Sequence, residues 1–254
     1  MKEIGKENLG QNTTSKQKNN QNDLPWNHPR RWHRFYLRGK LQRLVESDLL
    51  PCGEKILDYG CGERPDEWMF KTKFQQYIGA DLPGGKYADC TIGPENQLPV
   101  EDESIDCVLS TQVLEHVKNT RSYLKEAYRV LKPNGSLLLS THGMWPYHPH
   151  PTDYWRWTLE GLELEISRAG FEIIQIQSIF SLASIGLQFW QDSTEGRVPS
   201  LFRPIYIGMI QFALGFIENK NLEKLSKNAS VYILLAHKIP DLTQSENDER
   251  HLGR

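Results

Sequence analysis

Residues 55–65 read KILDYGCGERP, and this stretch decides which fold the sequence predicts. The apolar residues before Asp58 predict a short buried strand that ends at this acid. Gly60 and Gly62 lack a Cβ, so the backbone can turn sharply there and approach a ligand closely. Pro65 suits the first turn of a following helix, where its missing N–H costs nothing. A strand, a glycine turn and a helix N-terminus together predict exposed N–H groups that favour carboxylates, phosphates and ribose hydroxyls.

The spacing of the acids and glycines limits the class of ligand that this stretch could bind. A dinucleotide loop would place a third glycine or alanine three residues after Gly62, where Pro65 stands. Asp58 instead precedes the first glycine, and Asp81 closes the next strand-like run, YIGAD. An acid at the tip of a second parallel strand is placed to accept both hydroxyls of a ribose. The pattern therefore favours a ribose-bearing ligand over the alternative of an ordinary strand-to-helix turn.

Four stretches in this order carry a resemblance to a known family. They are LDYGCG at 57–62, IGADLPG at 78–84, LPVEDESIDCVLSTQVLEHV at 98–117 and RVLKPNGSLLLS at 129–140. Together they resemble the class I S-adenosylmethionine-dependent methyltransferases, and most closely the branch often called methyltransferase type 11. The resemblance covers 55–171 and resumes at 231–238.

The resemblance implies a single doubly wound α/β domain with a seven-stranded, mostly parallel sheet whose last strand is inserted antiparallel. It implies S-adenosylmethionine as cofactor. The family places an acid just beyond the third strand for the adenine, but Gly93 is followed here by Pro94, so a backbone group or Glu95 would substitute. The residues expected to bind the cofactor are Asp58, Tyr59, Gly60, Cys61, Gly62, Asp81, Leu82, Glu95 and Thr111.

Composition sets further limits on the class of protein. The 254 residues are 38% hydrophobic and 24% charged, which is typical of a soluble globular protein. The formal net charge of −2 argues against nucleic acid as a partner. The four cysteines form no C-x-x-C pair, so we expect neither a metal site nor a disulfide framework. With no apolar run in MKEIGKENLG, we expect a cytoplasmic protein.

The chain divides into a polar tail at 1–22, a helical cap at 23–50, a methyltransferase domain at 51–240 and a second polar tail at 241–254. The first tail has almost nothing to bury, so we expect disorder. In the cap, apolar spacing predicts a helix over 32–49 that packs on the main domain. Its basic stripe, made of Arg31, Arg34 and Arg38, predicts a solvated face, with an acidic substrate or anionic lipid as the alternative.

Residues 141–158, THGMWPYHPHPTDYWRWT, leave the fifth strand on the ligand side of the sheet. Imidazole titrates near neutral pH, so the histidines are candidate proton acceptors, and aromatic walls would exclude water. The candidate catalytic residues are His142, His148, His150 and Asp153, and the candidate substrate contacts are Trp145, Tyr147, Tyr154 and Arg156. In the alternative, the aromatic residues anchor the loop and Asp153 pairs structurally with Arg156. At the preceding turn, we expect Glu115 and His116 to shape the backbone.

Two apolar segments lie within an insertion at 181–228, before the last strand. The second, 201–217, is marginal as a bilayer span, which needs about 20 apolar residues. A lid over the substrate, a homodimer face and a weak membrane contact are the three alternatives, of which the sequence favours the lid or packed helix.

The function expected from these features is methyl transfer to a small-molecule, glycan or lipid-linked acceptor. An oxygen is the first expectation for the acceptor atom, and the carbon of a quinone-type ring is the second. An inactive S-adenosylmethionine-binding module and a nicotinamide-dependent reductase are the alternatives from other classes.

Overall fold

The computed structural model describes residues 24–219 and 224–240. The tails expected at 1–22 and 241–254 lie outside the described residues, as do residues 220–223 of the insertion.

Six helices and seven strands are described within these ranges. The helices are α1 (Arg31–Glu46), α2 (Glu67–Phe70), α3 (Thr120–Val130), α4 (Leu159–Arg168), α5 (Leu182–Thr194) and α6 (Arg203–Asn219). The strands are β1 (Gly53–Tyr59), β2 (Phe74–Asp81), β3 (Cys90–Thr91), β4 (Ile105–Thr111), β5 (Leu131–His142), β6 (Phe171–Ile179) and β7 (Val231–Lys238).

The strands form one sheet in the order β3-β2-β1-β4-β5-β7-β6. From β3 to β5 each neighbouring pair is parallel, whereas β7 lies antiparallel between β5 and β6. The expected doubly wound α/β sheet with an inserted antiparallel strand is therefore confirmed. The strand order reverses between β1 and β4, so the connections that follow these two strands run in opposite directions. They leave a crevice at the carboxyl ends of the two strands, which is where ligands bind in such sheets.

Each face of the sheet buries a separate core, because successive side chains of a strand point to opposite faces. On one face, Leu57 and Val108 pack with Leu124 of α3 and Leu162 of α4. On the other face, Ile56, Cys107 and Leu138 are among the residues of a core that includes Leu41 and Leu44 of α1. The apolar face predicted for α1 does pack on the main domain, and this packing fixes the helix over the back of the sheet.

The prediction that Arg38 belongs to a solvated basic stripe on α1 is wrong. This side chain is only 8% exposed, and its Nε donates to Asp66 Oδ1 at 3.1 Å. Burial removes an arginine from water at a large cost unless a carboxylate compensates, so Asp66 fixes its position. Arg34 is exposed, and Arg31 donates from Nη1 to the carbonyl of Leu24 at 2.7 Å.

The helix that the sequence predicts over 66–73, after the glycine turn, is shorter in the structure. Pro65 lies in a turn, and α2 has only four residues, starting at Glu67. A single turn of helix aligns few peptide dipoles, so its N-terminus is not the strong anion site that the sequence suggested. Recognition at this edge of the sheet must therefore depend more on side chains.

Candidate active site

Asp58 lies near the carboxyl end of β1 and is only 3% exposed. The hydroxyl of Tyr77, on the neighbouring strand β2, donates to its Oδ2 at 2.5 Å, while its Oδ1 has no hydrogen-bond partner within the described protein. Burial raises the pKa of this carboxyl to about 7, and the hydrogen bond from Tyr77 offsets only part of that effect. A buried oxygen without a donor is costly, so this atom is suited to a donor or a cation supplied by a ligand.

The glycine turn brings the backbone against both neighbouring strands. Gly60 has a φ of 95°, and a Cβ there would lie 2.6 Å from Val113, in the turn after β4. The N–H groups of Gly60 and Cys61 both donate to the carbonyl of Ala80, at 2.8 and 3.0 Å. These two donors are therefore committed to β2 rather than exposed, contrary to the sequence prediction. At Gly62 a Cβ would meet no atom within 4 Å, so the turn is open on that side.

Asp81 ends β2, one strand away from Asp58, and is partly exposed. Its Oδ1 accepts a hydrogen bond from the backbone N–H of Leu82 at 2.8 Å. A Cβ at Gly85 would come within 3.1 Å of its Oδ2, so the turn after β2 folds closely around this carboxylate. Its negative charge also contributes to the raised pKa of Asp58. The two predicted acids thus lie at adjacent strand ends and act on each other.

The other residues predicted to bind the cofactor lie around this edge in different environments. Tyr59 is fully buried and stacks on Tyr123 at 4.0 Å, so its side chain belongs to the core. Cys61 is buried, and burial raises the pKa of its thiol to about 11, which keeps it protonated. Glu95 is exposed with a φ of 56°, and Thr111 lies partly exposed at the end of β4.

Glu115 connects the turn after β4 to the aromatic loop at 143–158. Its backbone carbonyl accepts hydrogen bonds from the N–H groups of Tyr154 and Trp155, at 2.9 and 3.2 Å. Its side chain is completely buried, and Oε2 accepts from the hydroxyl of Thr141 at 2.8 Å. Burial raises the pKa of this carboxyl to about 7. The structural role predicted for Glu115 agrees with these contacts, which hold the loop over the strand ends.

His142 ends β5 beside this carboxyl. Its Nδ1 lies 3.0 Å from Glu115 Oε1, although the two groups are not aligned for a straight hydrogen bond. The ring stacks on Trp145 with a centroid separation of 4.8 Å and is 3% exposed. Burial lowers its pKa to about 2, so the ring is neutral. These contacts give His142 a supporting position beneath the loop, with little access to solvent.

His148 is exposed and lies at the centre of a group of four histidine rings. Its centroid is 4.8 Å from that of His150, 5.9 Å from that of His142 and 5.8 Å from that of His116. Partial burial, followed by the charge that His150 and His116 carry when protonated, lowers the pKa of His148. A neutral imidazole at neutral pH can accept a proton. We call these four rings the histidine cluster.

Asp153 and Arg156 form the pair that the sequence raised as the structural alternative. Arg156 donates from Nη1 to Asp153 Oδ1 at 2.6 Å, and it also donates to the carbonyls of Trp145 and Pro146. The arginine lowers the pKa of Asp153 to about 2. Asp153 accepts from the backbone N–H of His148 at 2.7 Å, so it positions the backbone of this histidine and not its ring.

The aromatic residues predicted to contact substrate divide into two groups. Tyr147 and Tyr154 are 78% and 46% exposed. Trp145, by contrast, packs between His142 and the cap helix, where His33 lies 4.3 Å from its ring centroid and Arg30 lies 5.2 Å from it. The loop is therefore joined to α1 as well as to β4.

Several of these contacts were not predicted from the sequence. The hydrogen bond from Tyr77 to Asp58 joins residues that are 19 positions apart, so no local pattern predicts it. The contact of His33 with Trp145 joins residues more than 100 positions apart, and it depends on the fold alone. Glu115 carried a usable signal: an acid within the apolar run VLEHV, directly after a buried strand, requires a buried partner.

A family model described as a methyltransferase domain matches residues 30–191, which is more than half of the chain. The sheet order, the glycine turn and the two strand-end acids define the class as the S-adenosylmethionine-dependent methyltransferases of α/β fold. The chain belongs to this methyltransferase-domain family, and the class predicted from the four sequence stretches is confirmed.

Two relatives illustrate the relation. A Mycolicibacterium smegmatis protein named "Probable S-adenosylmethionine-dependent methyltransferase" is 28% identical over 148 residues, 52% of this chain and 58% of that protein. The malonyl-[acyl-carrier protein] O-methyltransferase of Yersinia pestis is 30% identical over 108 residues, 39% of this chain and 40% of that protein. The chain thus matches little more than half the length of the first relative and less of the second.

Solved structures share the fold at low identity. The phosphoethanolamine N-methyltransferase 2 of Haemonchus contortus, in complex with S-adenosyl-L-methionine, gives a TM-score of 0.51 at 18% identity, over 80% of this chain and 52% of that chain. The [4+2]-cyclase SpnF gives a TM-score of 0.51 at 21% identity, over 79% of this chain and 80% of that one. These similarities establish the fold, and the reaction has to be inferred from the residues of the site.

The residues at the strand ends fit the cofactor of this family, S-adenosylmethionine. The unpartnered Oδ1 of Asp58 suits an ammonium group, which the methionine portion of the cofactor carries. The partly exposed carboxylate of Asp81, one strand away, suits paired hydroxyls such as those of a ribose. The open side of the turn at Gly62 leaves room for a ligand close to the backbone.

Replacing Glu115 with alanine should lower the free energy of unfolding by about 1–3 kcal/mol, because the buried hydroxyl of Thr141 would lose its acceptor. It should also speed proteolysis within 143–158, whose attachment at Glu115 is weakened. Urea unfolding and limited proteolysis would measure both effects. Glu172→Ala, at an exposed position on β6, is the matched control and should leave both unchanged. Wild-type stability in Glu115→Ala would contradict the anchoring role.

Proposed function

We propose that this protein transfers a methyl group from S-adenosylmethionine to an oxygen atom of a small-molecule, glycan or lipid-linked acceptor. One observation carries the proposal: Asp58 and the histidine cluster lie at the same edge of the sheet, at the ends of strands that are close neighbours. Asp58 is at the end of β1, His116 follows β4, and His142 ends β5. A ligand held at the glycine turn would therefore lie at the same edge of the sheet as groups that can accept a proton.

Bound S-adenosylmethionine supplies a methyl group on a positively charged sulfur. Transfer of this methyl group to a hydroxyl oxygen would leave the sulfur as a neutral thioether and release one proton, which a side chain of this protein would accept. Holding reactants in line contributes up to about 7–11 kcal/mol. We assign the base to His148, since its ring is exposed while that of His142 is buried. A positioned base contributes typically ~10²–10⁴-fold in rate.

Supporting groups around His148 keep it suited to this task. Asp153, itself held by Arg156, fixes the backbone of His148, and the lowered pKa keeps the ring neutral and able to accept a proton. The exposed rings of Tyr147 and Tyr154 lie in the same loop and offer contacts to an acceptor. The choice of oxygen is supported by the Yersinia pestis relative, whose name specifies O-methylation.

The direct experiment incubates the protein with methyl-labelled S-adenosylmethionine and a panel of acceptors: a malonyl thioester, hydroxylated lipids, lipid-linked glycans and a quinol. Label released by ester or ether cleavage identifies an oxygen acceptor. Label found on a ring carbon of the quinol would replace the proposal with C-methylation. Cofactor binding by isothermal titration without transfer to any acceptor would instead indicate a binding module.

The affinity for S-adenosylmethionine should depend on pH through Asp58. The pKa of this carboxyl is about 7 in the free protein, so below pH 7 it is mostly protonated. If the ligand's ammonium group requires the carboxylate, binding must release that proton. The dissociation constant should then rise towards tenfold per pH unit as the pH falls below 7, and it should rise again only where the ligand's own ammonium group loses its proton, at about pH 8. Isothermal titration between pH 5.5 and 8.5 (about three units) would show this, and Asp58→Asn should bind weakly with no such slope. A slope retained in Asp58→Asn would assign it to another group.

Asp81→Ala should weaken cofactor binding by about 1–3 kcal/mol, because the ribose hydroxyls would lose a charged acceptor. Isothermal titration with S-adenosylmethionine and with its demethylated product should show the same loss for both. Asp48→Ala, in the exposed connection after α1, is the matched control and should bind as the wild type does. Unchanged affinity in Asp81→Ala would show that the ribose lies elsewhere.

His148→Ala should slow methyl transfer by about 10²–10⁴-fold while cofactor affinity stays within a factor of about two. Its rate should also lack the fall at acid pH that we expect for the wild type when His148 becomes protonated. His237→Gln is the control, since His237 lies near the end of β7 and is paired in the sheet with Ser136, six residues before His142 on β5. Normal turnover in His148→Ala, or the same defect in His237→Gln, would remove His148 from the mechanism.

A further inference from the structure

Helix α6 carries large apolar side chains on its solvent-facing side as well as on the side that packs on the protein. Ile205, Met209, Phe212 and Phe216 recur at helical spacing on one face and are 57%, 69%, 78% and 61% exposed. Leu201 and Phe202, just before the helix, are 79% and 58% exposed. We call these six residues the α6 face. A surface helix in water normally turns such residues inward.

The buried side of α6 combines three aliphatic side chains with two polar ones. Gln211 is 1% exposed and donates from Nε2 to Gln191 Oε1 at 2.8 Å and to the carbonyl of Pro29 at 3.1 Å. Glu218 is 6% exposed and accepts hydrogen bonds from the backbone and hydroxyl of Ser181. These bonds fix the rotation of the helix, because rolling it would strand buried polar groups. The α6 face is therefore held outward.

Aromatic rings of the cap fix α6 from a second direction. A Cβ at Gly208 would lie 1.8 Å from the ring of Trp26, and one at Gly215 would lie 2.5 Å from the ring of Trp32. These rings fill the space that the glycines leave open. Trp32 also contacts Phe35, which is 52% exposed, at a centroid distance of 5.4 Å. The apolar surface thus extends from the α6 face onto α1.

Charged groups around this surface favour an anionic partner. Arg31 lies 5.6 Å from the ring centroid of Trp32, Arg43 borders the groove between α1 and α6, and Arg203 begins α6. Glu46, at the end of α1, accepts a hydrogen bond from Gln42, and Glu218 faces inward. A face of large apolar residues flanked by arginines matches the interface of a bilayer with anionic headgroups.

Other occupants fit this surface less well. The segments outside the described residues, 1–23, 220–223 and 241–254, contain only Met1, Ile4, Leu9, Leu222, Leu242 and Leu252 as large apolar residues, too few to cover it. A second copy placed face to face would bring its own arginines towards these. None of the helices in 24–219 is long and apolar enough to cross a membrane, so the contact expected is with one leaflet.

We propose that the α6 face lies on the surface of a membrane that contains anionic lipids, with α6 parallel to the bilayer. His33, the residue after Trp32, contacts Trp145 of the loop that carries His148. Membrane contact therefore holds this loop near lipid, which favours a lipid-linked acceptor. This last step rests on the proposed function, whereas membrane binding does not.

The test is flotation of the full chain with vesicles of phosphatidylcholine, alone or mixed with phosphatidylglycerol. The wild type should float with the mixed vesicles and bind the neutral ones more weakly. Met209→Ser with Phe212→Ser should reduce the bound fraction by roughly tenfold or more. Leu164→Ser with Ile174→Ser is the matched control, since these residues are 49% and 37% exposed on α4 and β6. The control should bind as the wild type does.

Three outcomes would overturn the proposal. The first is a wild type that floats with neither type of vesicle, and the second is equal binding by the wild type and the Met209→Ser, Phe212→Ser variant. The third is a wild-type dimer that this variant converts to a monomer in sedimentation without lipid, which would assign the face to a second copy. Vesicle binding needs no acceptor or cofactor, so its failure is distinguishable from a failure of methyl transfer.

Discussion

The buried carboxyl of Glu115 determines how the ligand edge of this protein is built. It connects three segments that are distant in sequence: the turn after β4, the end of β5 through Thr141 and the aromatic loop through Tyr154 and Trp155. A carboxyl without exposure to water can be kept there because its oxygens face a hydroxyl and an imidazole, and because a pKa near 7 lets it hold a proton. The loop with the histidine cluster is therefore part of a rigid framework and not a free excursion from the sheet.

Asp58 is a second buried carboxyl, and it differs from Glu115 in one respect. Both carboxyls are buried, and burial raises the pKa of each to about 7. Each carboxyl accepts a side-chain hydrogen bond at one oxygen, from Thr141 for Glu115 and from Tyr77 for Asp58, and has no hydrogen-bond partner at the other. Perturbed carboxyls are found in structural networks and at functional sites alike, and the surroundings of the second oxygen separate the two cases here: that of Glu115 lies 3.0 Å from the buried ring of His142, whereas Asp58 directly precedes the glycine turn. One buried acid organises the protein, and the other is available to a ligand.

Much of the fold follows from local sequence. The central strands are apolar runs, the last strand matches its predicted bounds of Val231–Lys238, and the glycine turn with its acids lies where the pattern placed it. The predictions that failed depended on non-local partners. Arg38 is buried because Asp66 meets it, and the N–H groups of Gly60 and Cys61 are taken by the carbonyl of Ala80. Spacing within one segment carries no information about such partners.

The helix α1 has a consequence for how distant parts of the protein communicate. Trp32 fills the notch at Gly215 of α6, while its neighbour His33 contacts Trp145 above the strand ends. Both contacts depend on consecutive residues of one helix, so the outer helix and the aromatic loop are packed against the same short segment of α1. A substitution that repositions this segment would therefore disturb the seating of α6 and of Trp145 together.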